Sequence, residues 1–240
     1  MYTQMGPAPV STIRQANTQA STIFLAKVFN WMAIGLGLTG VAAFLTVNSQ
    51  VMQQLIFGNR IVFYGLMFAE LGMVFYLSAR LQHISSQAAT GLFLVYSALN
   101  GVTLSAILMI YTMSSVAATF FITAGMFGAM AIYGMVTKRD LTGMGSFMVM
   151  GLIGMIIASV VNIFLSSPAI SWAVSGIGVI VFTGLTAYDV QKITKMGADG
   201  IMEQGESAIQ KVAIMGALAL YLDFINLFLS LLQFFGNRRD

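Results

Sequence analysis

Residues 212–235 read VAIMGALALYLDFINLFLSLLQFF. Twenty-four consecutive positions carry one charge, Asp223. A helix crosses the hydrocarbon core of a bilayer with about 20 apolar residues. No side of this stretch is polar enough to face water as the outer stripe of a soluble helix would. It reads as a membrane span.

Working back from it, six more stretches of similar length appear: Phe24–Val47, Ile61–Ala79, Gly91–Tyr111, Ser115–Val136, Leu141–Leu165 and Ala169–Tyr188. Strands of a membrane barrel are excluded, because those run about 10 residues with strict alternation. Composition agrees. Only 8% of the 240 residues are charged and 58% are hydrophobic, with 24 glycines besides. A soluble domain carries about 25% charged residues. The expected fold is all-α, a polytopic membrane protein of seven transmembrane helices embedded in the lipid bilayer.

Residues 1–20 are polar and lack the apolar core of a secretory signal. They read as a cytoplasmic N-terminal tail, and residues 21–240 as one seven-helix domain. The connections Thr112–Ser114 and Ser166–Pro168 force antiparallel neighbours, and only Asp189–Lys211 is a long connection. Glycines 35, 37, 40, 125, 128, 151, 154, 176 and 178 suggest close helix packing. With the N-terminus inside, the inner face holds Arg14, Lys27, Arg80, Lys138, Arg139, Lys192, Lys195 and Lys211. The outer face holds Arg60, Arg238 and Arg239. Positive residues favour the cytoplasm, so the N-terminus is expected there. The net charge of +3 then reflects loops and implies no nucleic-acid partner.

Several chemistries fall away. There is no Cys, and the one His, His83, lies in a connection. That removes thiol catalysis, His-based zinc sites and an intramembrane Ser–His pair. The last span has no Lys for a retinal Schiff base. Asp189 and Asp223 mimic an aspartyl protease only in number, since bulky residues follow both. No enzyme and no resident cofactor is expected.

What remains is charge inside the apolar stretches. A carboxylate at mid-membrane costs about 2.5–3.5 kcal/mol on insertion scales, so it takes a proton, a partner or water. Glu70 is central in the second stretch and Asp223 in the seventh. Asp189 ends the sixth, and Arg80 follows the second at the same level. Asp189 and Asp223 form a candidate carboxylate pair sharing one proton and lining a cation pathway, with Ca²⁺ suited to their oxygens. Arg80 is a candidate latch, and Glu70 either a second cation or proton site or a protonated interhelical hydrogen-bonder. By helical rise Asp223 lies about 12–16 Å deeper than Asp189, so contact requires the sixth helix to continue inward or the seventh to start late. Asn226 shares a face with Asp223. Asn30, Asn100 and Asn162 read as interhelical hydrogen-bonders.

The strings Thr186-Ala187-Tyr188-Asp189, Leu220-Tyr221-Leu222-Asp223-Phe224-Ile225-Asn226-Leu227-Phe228 and Lys138-Arg139-Asp140-Leu141 resemble the Bax inhibitor family, in its bacterial inner-membrane branch. The resemblance covers roughly residues 20–238. It implies a seven-span bundle with a central seventh helix. It also implies a pH-sensitive calcium leak channel or Ca²⁺/H⁺-coupled transporter of the inner membrane. The family's di-aspartyl sensor falls on Asp189 and Asp223, its latch on Arg80 and its second-helix acid on Glu70. A rival expectation is a non-transporting regulator that binds a membrane-anchored AAA protease or a stress factor. That role needs an exposed, specific loop, and Asp189–Lys211 is the candidate.

Overall fold

A run of polar side chains does not end a helix if its buried positions keep the helical period. Residues after Asp189 illustrate this. Val190, Ile193 and Gly197 are buried while Lys192 and Lys195 are exposed. The computed structural model describes residues 10–239, with side chains from Thr18 onward. In it the helices are α1 (Val10–Val47), α2 (Gln50–Phe57), α3 (Arg60–Arg80), α4 (Ser86–Ile110), α5 (Met113–Val136), α6 (Thr142–Leu165), α7 (Pro168–Ala198) and α8 (Glu206–Phe235). Seven of them, all but α2, are long and apolar enough to cross a membrane.

Three boundaries differ from the expectation. Helix α1 begins at Val10, well before Phe24. The first part of the polar tail, residues 1–9, and the side chain of Arg14 lie outside the described residues. The supposed long connection after Asp189 is mostly helix. Helix α7 runs on to Ala198 and α8 starts at Glu206, with one 3₁₀ turn, Ile201–Glu203, between them. The link turns on Gly200 and Gly205, both at φ of 85°, where L side chains are strained. Finally, α2 was not anticipated. It is a capped two-turn helix with Ser49 accepting from the Met52 amide. Three glutamines in eight residues hide it from a search for apolar spans.

The starts follow ordinary capping chemistry. Asn59, Ser85 and Thr112 each accept from a backbone amide in the first turn of α3, α4 and α5. Pro168 opens α7, where its missing N–H costs nothing.

The last helix is the core. In its most apolar stretch 67% of α8 is buried, against 0% for α6. Helix α8 packs on α7, α1, α5 and α4, while α3 leans on α4 and α6 on α7. Two ranks result, with α3 and α6 outermost. The glycine reading holds at Gly35, Gly151, Gly176 and Gly178, where an added Cβ would meet a side chain of another helix, and needs correction at the other five. Gly37, Gly40, Gly125, Gly128 and Gly154 face open space. Two of the closest crossings instead use Gly101, where a Cβ would strike the Thr39 carbonyl, and Gly134, where it would strike that of Ala187. The chain's end is tied down too. Thr112 donates to the Asn237 carbonyl at 3.1 Å and Arg239 to that of Ile110 at 2.8 Å.

Candidate functional site

Because α7 runs on past Asp189 to Ala198, Asp189 lies well within the helix, nearer the depth of Asp223 than a helix ending at Asp189 would put it. Helical side chains lean toward their own N-terminus. Helices α7 and α8 are antiparallel, so Asp189 leans into the bundle while Asp223 leans back toward the α7–α8 link. The axial offset between them is closed from both sides. Their carboxyls lie side by side, near enough to share a hydrogen bond when one is protonated. Asp223 is 5% exposed, and its Oδ2 is buried without a hydrogen-bond partner. Asp189 is half-buried. It lines a partly open cavity of about 340 Å³ that also touches Ser78, Lys192 and Met215.

Arg80, the expected latch, is exposed at the end of α3. It forms no ion pair among the described residues, where the one pair is Lys195–Asp140 at 2.9 Å. The cation near Asp189 is Lys192, one turn along the same helix, with its ammonium 6.0 Å from the centre of the Tyr188 ring. Adjacency on α7 decides this, whereas Arg80 belongs to the outer rank.

Glu70 is placed apart from the pair, in a buried network. Thr103 Oγ1 donates to its Oε1 at 2.5 Å and Asn100 Nδ2 to its Oε2 at 3.3 Å. Asn100 Oδ1 in turn accepts from the Tyr221 hydroxyl at 3.0 Å. That hydroxyl lies 2.7 Å from Thr39 Oγ1. Four helices, α1, α3, α4 and α8, meet in this chain of polar groups. Both hydrogen bonds on Glu70 are accepted by its carboxyl oxygens, from a hydroxyl and an amide. Sequence reading singled out Glu70 and Asn100 but not Tyr221, Thr39 or Thr103. A signal existed for Tyr221, because a phenol at mid-span must find a partner for its hydroxyl.

Asn226 donates to the Leu222 carbonyl of its own helix and is not bonded to the pair. Gln191 was also missed. Its side chain accepts from the Leu141 amide at 2.9 Å and donates to the Arg139 carbonyl at 2.8 Å, pinning the α5–α6 connection to α7. On that connection, a hydrogen bond from Lys195 and further ones from Thr142 hold the Asp140 carboxyl below the usual carboxylate range. His83 is exposed in the α3–α4 connection.

No group of three or more His, Cys, Asp or Glu that would cage a metal occurs among the described residues. Asp189 and Asp223 offer at most four oxygens, whereas Ca²⁺ takes 6–8. The pair therefore suits a cation that keeps most of its water and moves on, better than one stored.

Residues 22–240 match the family described as Bax1-I, inhibitor of apoptosis-promoting Bax1. The chain is 53% identical over 216 residues to the inner membrane protein YbhL of Escherichia coli K12, covering 90% of this chain and 92% of that one. It is 50% identical to an uncharacterized protein of Borreliella burgdorferi, over 90% of this chain and 93% of the other. With the uncharacterized protein RP147 of Rickettsia prowazekii the identity is 49%, over 90% of each.

Proposed function

The chain belongs to the Bax inhibitor family, and from that premise we propose that it is a pH-modulated cation leak of the bacterial inner membrane, with Ca²⁺ and protons as its small partners. The observation that carries this reading is the buried Asp189–Asp223 pair, reached from one end of the bundle by a cavity that touches Asp189. The N-terminus and the α7–α8 link lie on the cytoplasmic side by the distribution of positive charge.

A pair holding one proton is both charged and bridged. Loss of the proton leaves two carboxylates that, at about 4 Å and an effective dielectric of about 20, repel by roughly 4 kcal/mol. Gain of a second proton removes the charge that attracts a cation. Either change alters the contact between α7 and α8, which is the wall of the cavity. Lys192, beside Asp189, is the mobile counter-charge in this scheme, a part the resemblance gave to Arg80. The segment named for the rival regulator, Asp189–Lys211, is helix over most of its length, with an exposed turn at residues 203–207.

The test is Ca²⁺ entry into liposomes that contain the purified protein and an internal dye, recorded from pH 5 to 8. The expected result is a flux that varies with pH and a variation that Asp189→Asn or Asp223→Asn flattens. Flux equal to that of empty liposomes at every pH, from monodisperse protein, overturns the reading.

A further inference from the structure

The cavity at Asp189 reaches the acidic pair from one end only. Helix α8 carries polar residues toward the other end: Asp223, Asn226, Ser230 and Gln233. Their spacings of three, four and three put all four on one face. Opposite this face lies a groove between α6, α7 and α8. At its mouth is a cavity of about 530 Å³ touching Asn162, Ser171, Trp172, Gln233 and Arg238. A smaller one of about 260 Å³ shares Asn162, Ser171 and Gln233 with it. A third, of about 350 Å³, continues past Ser159, Ser175, Ser230 and Asn226 to Phe182. Each is several times the roughly 30 Å³ that one water occupies. The groove ends one helical turn from Asp223, whose buried Oδ2 has no partner.

The groove presents hydroxyl oxygens and amides together. The Ser175 hydroxyl donates to the Ser171 carbonyl and the Ser230 hydroxyl to that of Asn226. The Asn226 amide nitrogen donates to Leu222. The two serine hydrogens are thus turned to the backbone and leave oxygen lone pairs, while Asn226 and Gln233 keep amide N–H donors and Asn162 Nδ2 donates to Ser171 Oγ. Lone pairs receive water hydrogens and cations, not anions. Such back-bonding alone would satisfy a hydroxyl in lipid. It does not explain a helix face, two neighbouring helices and three adjoining cavities that all carry polar groups at the same place.

We propose that this groove is a water-filled half-channel that brings small hydrated cations to Asp223 from the end of the bundle bearing the α6–α7 turn. The cargo rests on the leak reading above; the groove and its water do not. Phe182 and the Asp189–Asp223 pair separate it from the cavity at the opposite end, so the barrier to passage is short and lies at the pair. Arg238 stands at the mouth, its guanidinium 5.9 Å from the centre of the Tyr111 ring.

The absence of cysteine makes the test direct. Single substitutions Ser159→Cys, Ser175→Cys and Ser230→Cys change one atom each. Ile157→Cys and Ile177→Cys, on exposed apolar positions, serve as lipid-facing controls. The full-length variants in liposomes are treated on both faces with cationic and anionic methanethiosulfonates of similar size. Thiolate forms only where water reaches, so the groove positions are expected to react about tenfold or more faster than the controls, and faster with the cationic reagent. Equal rates at groove and control positions overturn the proposal. So does a preference for the anionic reagent, or protection by disulfide-linked pairing of two copies through the groove. Reactive groove cysteines without Ca²⁺ flux would remove the leak reading and leave the half-channel standing. Flux with unreactive groove cysteines would do the reverse.

Discussion

Tyr221 and Asp223 stand two residues apart on α8 and face opposite sides of it. The Tyr221 hydroxyl reaches Thr39 of α1 and Asn100 of α4, while Asp223 meets Asp189 of α7. Two residues are roughly 200° of helix, so α8 separates two polar centres at nearly one depth. One helix thus carries contacts to both the acidic pair and the Glu70 network.

Tyr221→Phe removes the hydroxyl that joins Thr39 to Asn100. The expected loss is about 1 kcal/mol, the usual worth of a buried neutral hydrogen bond. A double-mutant cycle with Asn100→Ala in thermal unfolding should give a coupling of about 0.5–3 kcal/mol. Additive losses would show that the two side chains do not act together. If α8 couples the centres, Tyr221→Phe also shifts the pH profile of Ca²⁺ flux.

Thr103→Val takes a donor from the buried Glu70 carboxylate at nearly constant volume. A hydrogen bond to a charged group is worth about 1.5–3 kcal/mol. In a chain of this size that corresponds to a melting temperature lower by about 3–12 °C. Glu70→Gln should cost as much, because its amide would face the Thr103 and Asn100 donors with one oxygen instead of two. Unchanged melting of both variants would exclude the network as a stabilising element.

Gly134→Ala should be felt at the α5–α7 crossing, where the new methyl meets the Ala187 backbone. Overpacking of this kind costs about 1–3 kcal/mol. Gly128→Ala, on the same helix but facing open space, should leave melting unchanged. A larger effect at Gly128 than at Gly134 would contradict the packing.

Asp140→Asn breaks the Lys195 pair, in which both side chains are more than half exposed. The sign is clear: a carboxyl held below its ordinary range contributes above the unfolded value and loses that contribution as pH falls through the folded one. Exposure reduces the size to nothing measurable. Thermal melting between pH 5 and 8 should match that of the parent chain.

Much of the fold was legible because a bilayer allows few alternatives: each span had to be long, apolar and continuous. Where the membrane stops dictating, the reading failed. Residues 190–198 stay helical through buried Val190 and Ile193, although the lysines between them lower the hydropathy. Helix α2 is too short and too rich in glutamine to register. The acids of the site were conspicuous as charges in apolar runs. Their pairing depended on that unseen extension of α7 and on the lean of two side chains. Thr39 and Thr103 gave no signal, since threonine is common in membrane helices and only the tertiary crossing makes them partners.

The burial of α8 also bears on how the protein is made. Translation proceeds from the N-terminus, so the helix that fills the centre leaves the ribosome only after α1–α7. Until it arrives, Thr39, Asn100 and Asp189 have no α8 partner, and the outer helices enclose an unfilled space. Assembly of the centre must wait for α8. A nascent chain cut short before Glu206 would lose its keystone, and would be delivered to membrane quality control as an unfinished ring.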